Sequence, residues 1–330
     1  MDKPPMALLE GVAAFMGSRA ILSASELDLF TFLHRSPATA SGVAQACGLD
    51  SRATARLLDC LSSLGLLEKT EQTYRTTDLG AFFSSDHPHT LLPMVLHLNR
   101  QWGLWSDLTQ AVRQGGRVDL RAGADFQGED QKNFIAAMHV AGRDLAREIA
   151  SSFDASRFDK LLDIGGASGT YTMAFLERHP GLRAVLFDLP EVIPLAEKSI
   201  RGQGFGDRVE FVAGDFYQDE LPGGCDLALL SAVIHQNGPE ENVALYRKVL
   251  RALRPGGTLL IRDYIMDPSR TKPLGGALFA LNMLVSTPRG DTYTFEEVRE
   301  SLETAGFREV RQIRSGERMD SLVEARTPQA

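Results

Sequence analysis

Residues 160–177 constrain the chain more than any other stretch. The apolar run Lys160–Ile164 has the length of a buried strand. It leads into five small residues, Gly165-Gly166-Ala167-Ser168-Gly169, and then into Tyr171–Glu177, which has helical spacing. The same rhythm recurs downstream. Ala184–Phe187, Val209–Val212, Asp226–Leu230 and Thr258–Arg262 read as strands, and Glu191–Ser199 as a helix. A further helix places Val243, Tyr246, Leu250 and Leu253 on one face, and Arg254-Pro255-Gly256-Gly257 stops it. Thr294-Phe295-Glu296-Glu297 is a capping box opening a helix that Gly306 closes, and Val310–Arg314 with Ser321–Glu324 reads as a final hairpin. Repeated βα units predict an α/β fold: a Rossmann-like, mostly parallel sheet with helices on both faces and an antiparallel C-terminal hairpin.

A small-residue loop between strand and helix lets a ligand approach the backbone at the positive end of the helix dipole. Alone, it suits a phosphate, a nucleotide or S-adenosylmethionine, or only a tight turn. Two further strand ends sharpen it. Asp188 ends the second strand, 25 residues after Asp163, where a carboxylate accepts from both hydroxyls of a ribose. Asp215-Phe216 follows the third strand and offers an acceptor for an adenine amino group and a ring to stack on it. Each has a plainer reading, Asp188 as a helix cap and Phe216 as core. A nicotinamide oxidoreductase shares the first two features but normally shows Gly-x-Gly-x-x-Gly, where this chain has Gly165-Gly166-Ala167, and no Tyr-x-x-x-Lys pair is present.

His235 follows the apolar strand Leu227–Ile234 at the ligand-binding edge of such a sheet, and Asp263 ends the next strand on the same edge. Histidine with an orienting carboxylate makes a general base. The other histidines (34, 87, 89, 97, 139 and 179) form no metal-ligand spacing.

The N-terminal third differs in character. Leu27, Phe30 and Leu33 have helical spacing, as do Leu57, Leu61 and Leu64. Thr39–Gly48 and Arg52–Leu64 read as two helices around a turn. Leu66–Lys69 and Thr73–Thr76 follow as a small ribbon, which together make a winged-helix pattern. The chain has 35 Lys and Arg against 43 Asp and Glu, a net charge of −8, and the second helix and ribbon carry Asp59, Glu68, Glu71 and Asp78. A DNA-reading helix needs a basic face, so packing or dimerisation is the expected role and no nucleic acid is expected. Residues 91–150 carry Trp102, Trp105, Phe126, Phe134, Met138 and His139 in helical stretches, as core or as a pocket lining. Three cysteines without a CxxC, and a start broken by Glu10, predict a reducing cytoplasmic setting with no export signal and no membrane.

Taken together these motifs resemble the small-molecule O-methyltransferases of the caffeate and acetylserotonin type, which use S-adenosyl-L-methionine and yield S-adenosyl-L-homocysteine. The resemblance covers nearly the whole chain: RLLDCLSSLGLLEKTEQTYRTTDLG, LLDIGGASGTYT, FDLPEVI, VEFVAGDFYQDELP, LRPGGTLLIRDYIMD and LNMLV. It implies an N-terminal all-helical winged-helix dimerisation domain (residues 1–95), a helical linker lining the acceptor pocket (96–150) and a methyltransferase domain (151–330). It also implies a homodimer in which one chain closes its partner's pocket. The cofactor contacts it implies are Asp163, Gly165, Gly166, Asp188, Leu189, Gly214, Asp215, Phe216 and Ser231. His235 falls at the family's catalytic histidine, Asp263 at the carboxylate behind it, and Asp291 beside the second flanking acid, which aligns with Thr292. Phe134, Met138, His139 and Asn282 fall at acceptor-pocket positions, and no metal is required. The chain departs from the pattern at His235-Gln236-Asn237, where His-Asp-Trp is usual, and at Ser231, where lysine is usual. The expected function is methyl transfer to a small, aromatic hydroxyl compound. Carbon or nitrogen methylation, or a retired ligand-binding scaffold, are the alternatives.

Overall fold

The computed structural model describes residues 5–118 and 128–329; Phe126, expected in the helical bridge, lies outside them. The chain divides into two units, Met1–Gly103 and Leu104–Ala330.

In the first unit α1 (Pro5–Ala13) and α2 (Phe15–Glu26) precede α3 (Leu29–Arg35), β1 (Ala38–Thr39), α4 (Ala40–Cys47) and α5 (Ser51–Ser63). Then come β2 (Leu67–Thr70), β3 (Thr73–Thr76), α6 (Asp78–Ala81) and α7 (Leu92–Ser106), within which the division falls. Thr39 caps α4 by accepting from the Gly42 N–H, and Asp50 caps α5 by accepting from the Ala53 N–H. The face of α5 that is buried runs through Thr54, Leu58 and Leu61 rather than Leu57, Leu61 and Leu64. Four leucines in this segment allow two overlapping stripes, and Leu64 lies past the helix end, where it is exposed. Likewise Leu29, Phe30 and Leu33 are the core side chains of α3, while Leu27 ends α2 and faces solvent. The ribbon is three-stranded, because Ala38 pairs with Tyr74 and Thr39 with Thr73. Asp59 accepts from both the Lys69 ammonium and the Tyr74 hydroxyl, and Arg75 pairs with Glu68, so these ribbon cations are tied up locally. Helices α1 and α2, interrupted at Ala14, expose Met6, Leu8, Leu9, Val12, Phe15 and Met16. By length and composition alone, Met6–Glu26 is apolar enough to cross a bilayer.

The second unit contains α8 (Leu108–Gln114), α9 (Glu129–Ser152), β4 (Lys160–Ile164), α10 (Thr170–Arg178), β5 (Arg183–Asp188), α11 (Ile193–Gly202), β6 (Val209–Ala213) and β7 (Cys225–Ser231). There follow α12 (Pro239–Ala252), β8 (Leu253–Asp263), β9 (Ile265–Met266), α13 (Leu274–Ser286), β10 (Tyr293–Thr294), α14 (Phe295–Ala305), β11 (Arg308–Arg314) and β12 (Ser321–Arg326). The large sheet has the order β11-β12-β8-β7-β4-β5-β6. Strands β8 to β6 are parallel, and β12 runs antiparallel to both β8 and β11. Alternation along the strands feeds two cores. Leu162, Ile164, Leu230 and Ile261 pack with Tyr246 and Val249 of α12 and Leu302 of α14. Leu161, Leu227, Leu229 and Leu260 pack on the opposite face with Ile149 of α9, Phe175 of α10 and Ile200 of α11. Burying each such side chain stabilises the sheet by about 2 kcal/mol.

One boundary differs from the sequence reading. Pro255-Gly256-Gly257 does not lie between helix and strand; α12 ends at Ala252 and β8 begins at Leu253. The ladder partner of Cys225 is Leu253, while that of Leu227 is Thr258, so the Pro-Gly-Gly residues form a bulge inside the strand. Thr294 caps α14 reciprocally with Glu297, and Gly306 ends it with a φ of +109°.

Candidate functional site

In the parallel part of the sheet the strand order reverses between β4 and β7, which opens a crevice at their C-terminal ends. The sequence delivers its distinctive residues to that edge. Gly165 leaves β4 with a φ of +71°, a conformation that a side chain disfavours, and donates its N–H to the Phe187 carbonyl at 2.8 Å. A Cβ at Gly165 would still stand 3.6 Å from both Phe216 and Val233, so the loop surface here lies between these two side chains. Ala167 (φ +49°) and Ala232 (φ +59°) also hold left-handed conformations, placing backbone strain in the loops that follow β4 and β7. Gly166 accepts from the Gly169 N–H, closing the loop on itself.

Asp188, at the end of β5, ties this loop down. Its two oxygens accept from the Ala167 and Leu189 N–H groups, each at 2.7 Å, and its carbonyl accepts from the Gly214 N–H. Each carboxylate oxygen keeps a lone pair for a ligand hydroxyl. Burial pushes the Asp188 carboxyl up, and the two N–H donors hold it back. Asp163 is buried deeper, at 1% exposure. One oxygen accepts from the Thr172 hydroxyl, and the other has no hydrogen-bond partner. Burial raises this carboxyl to about 6.

After β6, Asp215 accepts from the Tyr217 N–H and from Gln218, and the ring of Phe216 lies 4.5 Å from that of Tyr217. Lys248 of α12, which the motifs did not single out, donates to the carbonyls of Phe216, Tyr217 and Asp219 and fixes this turn from outside. The side-chain oxygen of Ser231 accepts from Arg262 on the neighbouring strand.

His235 lies in a single 3-10 turn, Ile234–Gln236, beyond β7. Its Nδ1 stands 3.0 and 2.9 Å from the two oxygens of Asp263, whose side chain is 1% exposed. Oδ1 of Asp263 also accepts from the Tyr264 N–H. A carboxylate on Nδ1 holds the ring proton there and leaves Nε2 with a lone pair. Phe279 of α13 packs edge-on against the imidazole at 4.8 Å, and Tyr264 lies 5.5 Å from Phe279. The departure at Gln236-Asn237 has a structural counterpart. Asn237 accepts from the Tyr217 hydroxyl at 2.5 Å and donates to Asn242, whose amide donates to the Ile234 carbonyl. The Tyr293 hydroxyl donates to the Asn237 carbonyl. A chain of buried amides therefore anchors the turn that carries His235. Asp291 meets His235 through its backbone, donating its N–H to the His235 carbonyl at 2.9 Å. Its carboxylate faces Arg270 at 3.3 Å and accepts from the Thr292 N–H.

Of the other singled-out residues, Phe134, Met138 and His139 are half-buried on α9, and Nδ1 of His139 stands 2.8 Å from the Thr170 hydroxyl. Asn282 of α13 is buried and accepts from the Trp105 indole N–H at 2.9 Å. Among the described residues no cluster of His, Cys, Asp or Glu could hold a metal ion.

The residues at the sheet edge fit a nucleoside cofactor with an amino-acid tail. Asp188 offers free lone pairs, Phe216 offers a ring beside the glycine loop, and the unpartnered oxygen of Asp163 awaits a donor. Residues 105–308 match the O-methyltransferase domain family and residues 9–86 the O-methyltransferase dimerisation domain family. The chain is 32% identical to a tetracenomycin polyketide synthesis 8-O-methyl transferase from Streptomyces glaucescens, over 93% of this chain and 92% of that one. It is 31% identical to acetylserotonin O-methyltransferase from Bos taurus, over 96% of each. The crystal structure of human N-acetylserotonin methyltransferase in complex with S-adenosylmethionine superposes with a TM-score of 0.85 at 27% identity, over 99% of both chains. The chain belongs to the S-adenosylmethionine-dependent O-methyltransferases, with a family dimerisation domain ahead of its catalytic domain.

Proposed function

We propose that this enzyme methylates a hydroxyl group on a small aromatic acceptor, with His235 as general base and Asp263 as the group that orients it. The observation that carries the reading is the contact of both Asp263 oxygens with Nδ1 of His235, beside the aromatic face of Phe279. S-adenosylmethionine supplies, when bound, a methyl group made electrophilic by its sulfonium. Nε2 of His235 takes the hydroxyl proton as the acceptor oxygen attacks, and Asp263 stabilises the imidazolium that results. Holding the acceptor in line for displacement supplies much of the rate. Phe279 and Tyr264 favour a flat ring. We assign Phe134, Met138, His139 and Asn282 to the acceptor side. Asp163, Gly165, Gly166, Asp188, Leu189, Gly214, Asp215, Phe216 and Ser231 belong to the cofactor side. Asp291 serves the base by holding its main chain.

We assign the exposed apolar residues of α1 and α2 to a homodimer interface, in keeping with the family match at residues 9–86. The test of function is a cofactor-consumption assay over a panel of phenols, catechols and indoles, with His235→Ala beside the native enzyme. Native turnover on at least one phenolic compound is expected. The variant should lose that turnover by about 10²–10⁴-fold while S-adenosylhomocysteine still binds. A variant that keeps most of the activity refutes the assignment of the base.

A further inference from the structure

One side chain joins the turns that follow β6 and β7. In the sheet these strands are separated by β4 and β5, so at ordinary strand spacing their axes lie about 14 Å apart. Tyr217, in the turn after β6, bridges the two turns. Its hydroxyl donates to Oδ1 of Asn237 at 2.5 Å, two residues past His235. Tyr217 is 52% exposed, yet its hydroxyl ends on a side chain with no exposure at all. Burial, with the charges of Glu241 and Asp215 acting the same way, pushes the phenol up to about 12, so the hydroxyl remains a donor near neutral pH.

From Asn237 the hydrogen bonds run in one direction. Its Nδ2 donates to Oδ1 of Asn242 at 3.0 Å, and Nδ2 of Asn242 donates to the Ile234 carbonyl at 3.0 Å. Ile234 precedes His235 in the same 3-10 turn. An amide presents an oxygen on one side and an NH2 on the other. The donor that Tyr217 supplies therefore fixes which way Asn237 faces and, through it, Asn242. The indole usual at position 237 can only donate, so this bond depends on the chain's departure there. The near end of the link is also held. Lys248 donates to the carbonyls of Phe216, Tyr217 and Asp219, and the Tyr217 ring lies 4.5 Å from that of Phe216. Asn242 and Lys248 both belong to α12, so one helix supports both ends.

We propose that Tyr217 is a positioning residue for methyl transfer, bracing the turn that carries His235 from the turn that carries Phe216. The brace acts through Asn237 and Asn242 rather than on a reacting atom. The proposal rests on His235 as general base. It makes proton removal depend on a hydroxyl that belongs to the nucleoside side of the crevice.

Tyr217→Phe keeps the ring and removes only the hydroxyl. In steady-state kinetics on an accepted phenol, kcat per folded molecule is expected to fall by about tenfold, because small displacements of a base are costly, with the KM for S-adenosylmethionine within about twofold. In a double-mutant cycle, Tyr217→Phe added to Asn237→Ala is expected to lower kcat by no more than about twofold further, since the brace is already cut. Asn237→Ser is the second arm if Asn237→Ala does not fold. A bond that serves stability alone would lower the urea midpoint of Tyr217→Phe and leave kcat of the folded enzyme unchanged, and that result overturns the proposal. So does a rise in KM with kcat intact, which would confine Tyr217 to the cofactor side, and so do fully additive losses in the cycle. His235→Ala, run alongside, separates the two readings. If it keeps most of the activity, the base assignment fails and the brace with it. If it is inactive while Tyr217→Phe is fully active, only the brace is overturned.

Discussion

Arg262 and Asp263 are consecutive in β8 and serve opposite faces of the sheet. The guanidinium reaches Ser231 and Tyr171 on one face, and the carboxylate reaches His235 on the other. The two-residue period of a strand thus separates the partner of His235 from a buried cation by a single peptide bond. Substitutions at these neighbours should therefore have separable effects.

Asp263→Asn keeps the size of the side chain but replaces the negative charge behind the imidazole. Turnover is expected to fall by about 10–100-fold with little change in the KM for S-adenosylmethionine. Steady-state kinetics on any accepted phenol checks this. A rise in that KM with kcat intact would place Asp263 on the cofactor side.

Gly290 lies close against the turn that carries His235. A Cβ there would stand 2.5 Å from the His235 carbonyl and 3.1 Å from the Gln236 Cα, which are main-chain atoms with little freedom to yield. Gly290→Ala is expected to displace the turn and lower kcat by at least about tenfold, since small misplacements of a base are costly. Binding of S-adenosylhomocysteine, measured by calorimetry, should stay within about twofold.

Burial raises the Asp163 carboxyl from 3.8 to about 6. The folded chain therefore holds this proton more tightly than the unfolded chain does. The resulting contribution to stability is complete below about pH 3.8 and is lost as the pH rises through about 6. The native protein is thus expected to lose stability between about pH 4 and pH 6, and Asp163→Asn to flatten that fall. Urea denaturation across this range decides it.

Asn237→Ala would strip the partners from the Tyr217 hydroxyl and from one Asn242 oxygen in a fully buried position. The expected loss of stability is about 1–3 kcal/mol, read from urea denaturation. Turnover per folded molecule should also fall, because the same amides hold the His235 turn.

Charge placed on the apolar face of α1, as in Leu9→Glu with Val12→Glu, is expected to yield monomers in sedimentation analysis. Both residues are more than half exposed in the single chain, so neither change disturbs a core. Persistent dimers would remove this face from the interface.

The sheet was legible in the sequence because its strands are short apolar runs punctuated by glycine, and a period-2 or period-3.6 pattern marks each element. The nearness of His235 and Asp263 was legible for the same reason, since one lies just past a strand, the other ends the neighbouring strand, and the strand order brings those ends together. Other features carried no local signal. The bulge at Pro255-Gly256-Gly257 looks like a helix stop from sequence, because only the pairing with β7 makes it part of a strand. The choice between Leu57 and Leu58 as the inward residue of α5 depends on the ribbon it packs against. Phe279 meets His235 across 44 residues of chain, a contact no periodicity encodes. Arg262 did leave a trace, a cation after the apolar run Leu259–Ile261, but the Tyr171 and Ser231 beside it come from other elements.

Lys248 grips the turn after β6 by three main-chain oxygens and by no side chain. The shape of that turn is thus written outside it, in α12. Its side chains can then take other duties, Phe216 beside the glycine loop and Tyr217 on Asn237. A designer seeking tolerance for an altered nucleoside would vary Phe216 and keep both Tyr217 and the lysine that holds the turn.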